Sequence, residues 1–140
     1  LALGNHILTV YAVDRAGNQS SAAVTFRVIA TMGSLIRTTN RLYMAGKIDN
    51  KGIYLGLIHK IQAAKAALAR GQTGAAINSM NAYINEVRAQ SGVHITPDAA
   101  ALLIADAQWI IDQISGGIAP MSIIGEDTGW TELYLPAVIR

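Results

Sequence analysis

The spacing of apolar residues changes at Gly33, and this change limits the folds open to the chain. Before Gly33, apolar residues recur at every second position, which is typical of half-buried β-strands. After Gly33, they recur at every third or fourth position, which is typical of amphipathic helices. The sequence therefore predicts a short β segment followed by a helical body.

The β segment contains two predicted strands, residues 6–13 and 22–29, which are separated by turn-forming residues. Gly17 and Asn18 are the candidates for a positive φ in that turn. The predicted hairpin has one apolar row, which consists of Leu8, Val10, Val24, Phe26 and Val28. Because a lone hairpin is marginally stable in water, this row requires a partner that residues 1–30 do not contain.

Residues 3–6 and 10–18 resemble the last two strands of bacterial immunoglobulin-like or fibronectin-III-like domains. The resemblance implies that the hairpin is the remnant of a β-sandwich whose earlier strands lie outside the chain. It also implies a structural role for His6, near the position of the corner tyrosine of those domains.

Four helices are predicted, over residues 34–45, 53–70, 74–90 and 97–114, and a glycine follows each of them. These glycines are expected to supply the left-handed residue that ends a helix. Thr73 and Thr96 are expected to cap the third and fourth helices, the latter with Pro97 in its first turn. Short connections between helices favour an antiparallel four-helix bundle, so the chain is expected to be mainly α.

The helical body resembles the FIMAH domain over residues 33–114. The resemblance lies in residues 75–87, 90–92, 95–100 and 102–107, with residues 46–53 and 65–71 upstream. It implies a non-catalytic helical module of bacterial extracellular proteins, located near the C-terminus of multidomain adhesins and hydrolases and often after immunoglobulin-like repeats. The family supplies no agreed ligand or catalytic residue that could be transferred.

Composition excludes several kinds of site. The 140 residues include no cysteine, which rules out disulfides, thiolate metal sites and cysteine nucleophiles. The 11 Lys and Arg residues are spread along the chain, so nucleic-acid binding is not expected. No apolar stretch approaches the roughly 20 residues that a membrane-spanning helix needs, so membrane insertion is not expected either.

Ionisable residues show no catalytic or metal-binding pattern. His6, His59 and His94 lie in different segments and lack the spacing of a zinc site. Asp106 and Asp112 lie six residues apart on one predicted helix, so they diverge and are expected on a solvated face. Residues 14–18 and 49–52 lack the alternating acids of a calcium loop. No cofactor, metal or enzymatic activity is predicted.

The third helix carries the candidate binding residues Asn78, Asn81 and Asn85, with Tyr83 beside them. Because asparagine is a poor helix former, three on one face call for an explanation. One interpretation is that the amides bond to loops and tie the bundle together; the other is that they recognise sugar hydroxyls or the backbone of a partner. Tyr83, like Tyr43 and Tyr54, is expected at the edge of the core or stacked on a sugar ring.

These patterns predict three segments: a truncated immunoglobulin-like domain over 1–30, a FIMAH-like module over 33–116 and a tail over 117–140. The chain starts without Met or a basic leader, and we expect it to be part of a longer secreted or cell-surface protein. Its expected partners are upstream domains of that protein and an extracellular polysaccharide or surface protein. In the tail, residues 131–135 are a candidate strand, and the tail is a candidate cover for the hairpin.

The expected function is a non-catalytic accessory or interaction module of a secreted bacterial adhesin or hydrolase. The alternative is a carbohydrate-binding module that attaches a parent enzyme to a polysaccharide or cell surface.

Overall fold

A computed structural model describes residues 2–117, 123–124 and 137–139 and confirms that the chain is mainly α. A hairpin of two strands precedes four helices, and a short third strand follows them. The elements are β1 (Gly4–Val13), β2 (Gln19–Ile29), α1 (Met32–Met44), α2 (Lys51–Ala69), α3 (Thr73–Gln90), α4 (Pro97–Ser115) and β3 (Ala137–Ile139). None of the helices in the described ranges combines the length and hydrophobicity that crossing a membrane requires.

The chain forms two compact units. The first consists of residues 1–29 together with 130–140, and the second consists of residues 30–129. The predicted tail is thus divided between them, with β3 in the first unit. Within that unit, β3 pairs with β2 in parallel through residues 27–29 and extends the sheet by one strand at its edge. The candidate strand at residues 131–135 lies outside the described residues.

The hairpin is confirmed, and its strands are longer than the sequence pattern predicts. β1 and β2 pair antiparallel from Gly4 opposite Val28 to Val13 opposite Gln19. The Asp14 carboxylate organises the turn, because it accepts hydrogen bonds from the backbone N–H groups of Ala16 and Asn18, both at 2.9 Å. These bonds, together with one from the Asn18 side chain, hold the pKa of Asp14 below its ordinary value. Gly17 has a positive φ of 85°, as predicted, whereas Asn18 does not.

The apolar row of the hairpin is largely exposed. Leu8 lies opposite Val24 in the register, and their exposed fractions are 54% and 41%. Val10 is also exposed, whereas Phe26 is half-buried and Val28 is buried. Two directly opposed apolar residues that remain in water gain little from burial, so this part of the sheet is stabilised mainly by its backbone ladder.

The four helices of the second unit form the predicted antiparallel bundle. Each helix packs against the next, and α1 also packs against α4, which closes the arrangement. Every helix contributes residues that are fully or almost fully buried, and these form the core of the bundle: Leu35, Leu57, Ile61, Met80, Tyr83, Leu103 and Ile110. The apolar stripes that the sequence predicts are therefore used in contacts between helices.

The helix starts differ in part from the prediction. α1 begins with a reciprocal cap, in which the Ser34 N–H donates to the Thr31 hydroxyl and the Thr31 N–H donates to the Ser34 hydroxyl. The prediction that Thr73 caps α3 is wrong, because Thr73 is the first helical residue and Gln72 occupies the cap position. Thr96 does occupy the cap position of α4, but its side chain does not bond to the helix.

The glycines that follow the helices also differ in one place. Gly46, Gly71 and Gly92 have positive φ values of 75–78°, as predicted. After α4, however, Gly116 keeps a helical conformation and Gly117 is the left-handed residue, with a φ of 76°. The fourth helix is therefore one residue longer than predicted, because the first of two adjacent glycines continues the helical turn.

Candidate binding surface

The three asparagines of α3 lie on its exposed face. Asn78, Asn81 and Asn85 fall within an arc of about 60° at 100° per residue, and all three are exposed. The buried face of the same helix consists of Ala76, Met80, Tyr83, Ile84 and Val87. The sequence prediction that the amides share one face is consistent with this geometry, and we call Asn78, Asn81 and Asn85 the amide face.

The amide face makes no side-chain hydrogen bonds within the part of the chain that the structure describes. The interpretation that these amides tie the bundle to its loops therefore has no contact to support it. Each amide can donate two hydrogen bonds and accept two, and all of these groups face water. The surface is chemically suited to recognising hydroxyl or amide groups of a ligand.

Tyr83 does not belong to this surface, which corrects its assignment as a binding residue. Its side chain is fully buried, and its hydroxyl lies 3.1 Å from the hydroxyl of Thr39 on α1. Burial raises the pKa of Tyr83 well above its ordinary value, although the Thr39 hydrogen bond opposes the shift. Tyr83 lies two residues from both Asn81 and Asn85, which is about 200° around the helix, so its side chain points into the core.

The other two tyrosines lie at the edge of the core. Tyr43 of α1 and Tyr54 of α2 are half-buried and stacked, with ring centroids 4.1 Å apart and planes within 4° of parallel. The Tyr54 hydroxyl donates to the Asn40 side chain at 2.8 Å. The pair therefore joins α1 to α2 while leaving part of each ring accessible.

Asp106 and Asp112 of α4 diverge, as predicted, but only Asp112 faces water. Asp112 is exposed and accepts a hydrogen bond from Gln108 at 3.0 Å. Asp106 is buried, so its assignment to a solvated face is wrong. It lies between the buried positions 103 and 107, and its charge contributes to raising the pKa of Tyr83.

The three histidines lie apart, and each has its own surroundings. His6 bonds to the backbone oxygen of Ala2 at 2.7 Å and stacks on Phe26, which fits the structural role expected of it. His59 is exposed on α2. His94 Nδ1 lies 2.7 Å from Asp49 Oδ1. Within the described residues, no group of three or more His, Asp or Glu side chains is placed to hold a metal ion.

His94 and Asp49 belong to a contact between two loops that the sequence did not reveal. The Asp49 N–H donates to the backbone oxygen of His94, and the Thr96 N–H donates to the backbone oxygen of Lys47, both at 3.0 Å. These bonds place Ile48 opposite Ile95 in a short antiparallel bridge, and both side chains are buried. We call residues 47–49 and 94–96 the loop clasp.

One ion pair lies beside the loop clasp. The Lys47 Nζ lies 3.7 Å from Oδ2 of Asp98, which is in the first turn of α4. The Thr96 hydroxyl beside it and the Lys47 ammonium both hold the pKa of the Asp98 carboxyl below its ordinary value. The Lys47–Asp98 pair is exposed and contributes little to stability, so the buried side chains of Ile48 and Ile95 carry most of this contact.

A family model described as the FIMAH domain matches residues 32–112, which is more than half of the chain. The chain belongs to the FIMAH family. The match begins at the first residue of α1 and ends near the last turn of α4, so the FIMAH domain corresponds to the four-helix bundle and excludes the hairpin. No curated protein and no solved structure matches the chain.

The amide face, the Tyr43–Tyr54 stack and the loop clasp all lie within the FIMAH region. The apolar residues Ile48 and Ile95 in predicted loops were a partial sequence signal for the clasp, because large apolar side chains are often buried, although Val93 in the same loop is exposed. A second overlooked signal is the distribution of charge within the FIMAH domain, which is uneven although basic residues are spread along the whole chain.

Proposed function

We propose that this chain is a non-catalytic accessory module that serves attachment, spacing or interaction in a secreted multidomain bacterial protein, an adhesin or an extracellular hydrolase. The observation that supports a multidomain parent is the apolar row of the hairpin. Leu8, Val10 and Val24 are between 41% and 57% exposed, which is unusual for three adjacent aliphatic residues of a stable sheet. A hairpin of this kind is expected where it completes a larger sandwich.

The FIMAH bundle supports the non-catalytic part of the proposal. Its apolar residues pack against one another, and its one buried acid, Asp106, lies within the core beside Tyr83 and not in a cleft. The hydroxyls of Thr39 and Tyr83 bond to each other, and Thr39 also donates to the backbone oxygen of Leu35. The buried hydroxyls of Thr39 and Tyr83 therefore find their hydrogen-bond partners inside the bundle.

Deleting residues 32–115 from the longer protein tests this proposal. We expect turnover of a small soluble substrate to stay unchanged, or, for an adhesin, the stability of the remaining domains to stay unchanged. Retention on the polymer or cell surface should fall. Because the bundle makes up most of a compact unit over residues 30–129, the deletion removes most of that unit and retains the residues of the other one. Loss of soluble-substrate turnover by a remainder that is still folded would contradict the proposal.

Carbohydrate binding is the second candidate function, and the amide face is the observation that favours it. Sugar hydroxyls both donate and accept hydrogen bonds, and amides that are exposed and unbonded can meet both needs at low desolvation cost. A helix that keeps three poor helix formers on one exposed face without structural bonds has a feature that packing does not explain.

The double substitution Asn81→Ala and Asn85→Ala should weaken polysaccharide binding about tenfold to a hundredfold, because two hydrogen bonds of about 0.5–1.5 kcal/mol each are lost. Affinity electrophoresis of the chain in gels containing xylan, soluble cellulose derivatives or starch measures this effect. Gln19→Ala is the matched control, since Gln19 is an exposed amide on β2 with no side-chain hydrogen bond in the described ranges. Equal retardation of the double variant, the control and the unsubstituted chain would exclude the amide face, and no retardation in any gel would exclude the function.

A further inference from the structure

Charge is distributed unevenly over the FIMAH bundle. Residues 31–72, which contain α1 and α2, hold one acidic residue, Asp49, and seven basic ones: Arg37, Arg41, Lys47, Lys51, Lys60, Lys65 and Arg70. Residues 73–117, which contain α3 and α4, hold one basic residue, Arg88, and four acidic ones: Glu86, Asp98, Asp106 and Asp112. Residues 31–72 thus have a formal charge of +6 and residues 73–117 have −3.

Ion pairs between residues 31–72 and residues 73–117 neutralise only part of the positive charge of the first segment. Lys60 pairs with Glu86 across the α2–α3 contact, and Gly56 makes room for that carboxylate, since a Cβ at this position would lie 3.3 Å from it. Lys47 pairs with Asp98. Arg41, Lys51 and Lys65 have no ion pair or hydrogen bond in the ranges that the structure describes, and Arg41 and Lys51 are exposed.

Lys51 and Lys65 lie on a side of α2 that also offers aromatic, amide and apolar groups. Tyr54 lies three residues after Lys51, about 60° around α2, and stacks on Tyr43 of α1, so the half-buried tyrosine stack lies where the two helices meet. Lys51, Leu55 and Gln62 fall within an arc of about 40° on the exposed face of α2. We call Arg41, Lys51 and Lys65, together with the Tyr43–Tyr54 stack, the basic face.

We propose that the basic face binds an anionic polysaccharide whose negative charges are widely spaced. The proposal rests on the binding role proposed above and names the ligand class. The cations attract carboxylates or sulfates, the tyrosine rings offer apolar contact to the carbon-bearing face of a sugar, and the Gln62 amide suits its hydroxyls. The ligand therefore differs from the neutral sugars that the uncharged amide face would favour.

The spacing of the cations favours a sparsely charged polymer over nucleic acid. Lys51 and Lys65 are fourteen residues apart on α2, which is about 21 Å along the helix axis. Duplex DNA carries one negative charge per about 1.7 Å of its axis, so these cations would neutralise only a small part of the DNA they covered. A polysaccharide with a carboxylate on every other ring matches such spacing more closely.

Binding of the chain to hyaluronate at low ionic strength, measured by titration calorimetry, tests the proposal. We expect the double substitution Arg41→Gln and Lys51→Gln to weaken binding about tenfold and to reduce its salt dependence. The matched control is the double substitution Arg15→Gln and Arg88→Gln, which removes the same net charge from residues outside the basic face. Arg88, like Arg41, lies in the last turn of a helix. The residues replaced in both double variants are exposed. The control should bind like the unsubstituted chain.

Several results would overturn the proposal: no binding to hyaluronate, equal weakening by both double variants, or tighter binding to short duplex DNA or to phosphatidylglycerol vesicles. Circular dichroism of each variant shows that the fold is retained. The Asn81→Ala and Asn85→Ala variant, tested in parallel, separates this proposal from the preceding one. Binding of neutral xylan without binding of hyaluronate would exclude the basic face as a binding surface and leave the carbohydrate-binding function standing. Failure to bind either polymer would exclude both proposals.

Discussion

Replacing Leu57 by alanine should lower the free energy of unfolding of the FIMAH bundle by about 2–5 kcal/mol. Leu57 has no exposed surface, and it lies on the side of α2 that packs into the core with Ile61 and Ala64. Truncation removes three carbon atoms from a close-packed interior and leaves a cavity that neighbouring helices fill only in part. Urea denaturation followed by far-ultraviolet circular dichroism measures the loss.

Leu55→Ala is the matched control, because Leu55 lies two residues away on the same helix and is 40% exposed. It should cost clearly less than Leu57→Ala, since alanine has at least as high a helix propensity and part of the Leu55 side chain already contacts water. Equal destabilisation by the two substitutions would mean that the core of the bundle does not lie on the side of α2 that contains Leu57.

Replacing Ile95 by alanine should destabilise the bundle by a similar amount, about 2–5 kcal/mol, although Ile95 lies in a loop. The reason is the loop clasp: Ile95 is buried, lies opposite Ile48 and links the α3–α4 connection to the α1–α2 connection. Chemical denaturation gives the global effect, and amide hydrogen exchange at Asp49 and Thr96, whose N–H groups bond across the clasp, shows the local one.

Val93→Ala is the control within the same loop, because Val93 is 65% exposed and its truncation should change stability by less than about 0.5 kcal/mol. The double variant with Ile48→Ala adds a stricter condition. Directly opposite residues of an antiparallel pair contact each other, so the two substitutions should not be additive. Additive losses would show that Ile48 and Ile95 are buried separately and that the clasp is not a unit.

Sequence patterns predicted the elements of the fold better than the contacts between them. The helices and the hairpin follow from apolar periodicity and turn residues, which act over a few neighbouring positions. The errors at Thr73 and at Gly116 are shifts of one residue at helix ends, where several residues compete for one cap position. Such boundaries depend on local geometry that the residue type alone does not determine.

The candidate site shows the same limit. Periodicity placed Asn78, Asn81 and Asn85 on one face. Tyr83 was added as an aromatic that could stack on a sugar, although the same periodicity places it on the apolar side of the helix, where it is buried. Asp106 was assigned to solvent because charged residues are seldom buried, whereas packing of α4 against its neighbours encloses it. The pairing of Ile48 with Ile95 joins residues 47 positions apart, which no local pattern reveals.

The antiparallel order of the four helices has a consequence for how the domain is attached. The chain enters at the start of α1 and leaves at the end of α4, and in an up-down-up-down arrangement both points lie at one pole of the bundle, together with the α2–α3 turn. The loop clasp occupies the opposite pole. Both ends of the domain therefore lie at its base, and the loop clasp braces the far tip, where the α1–α2 and α3–α4 connections are neighbours.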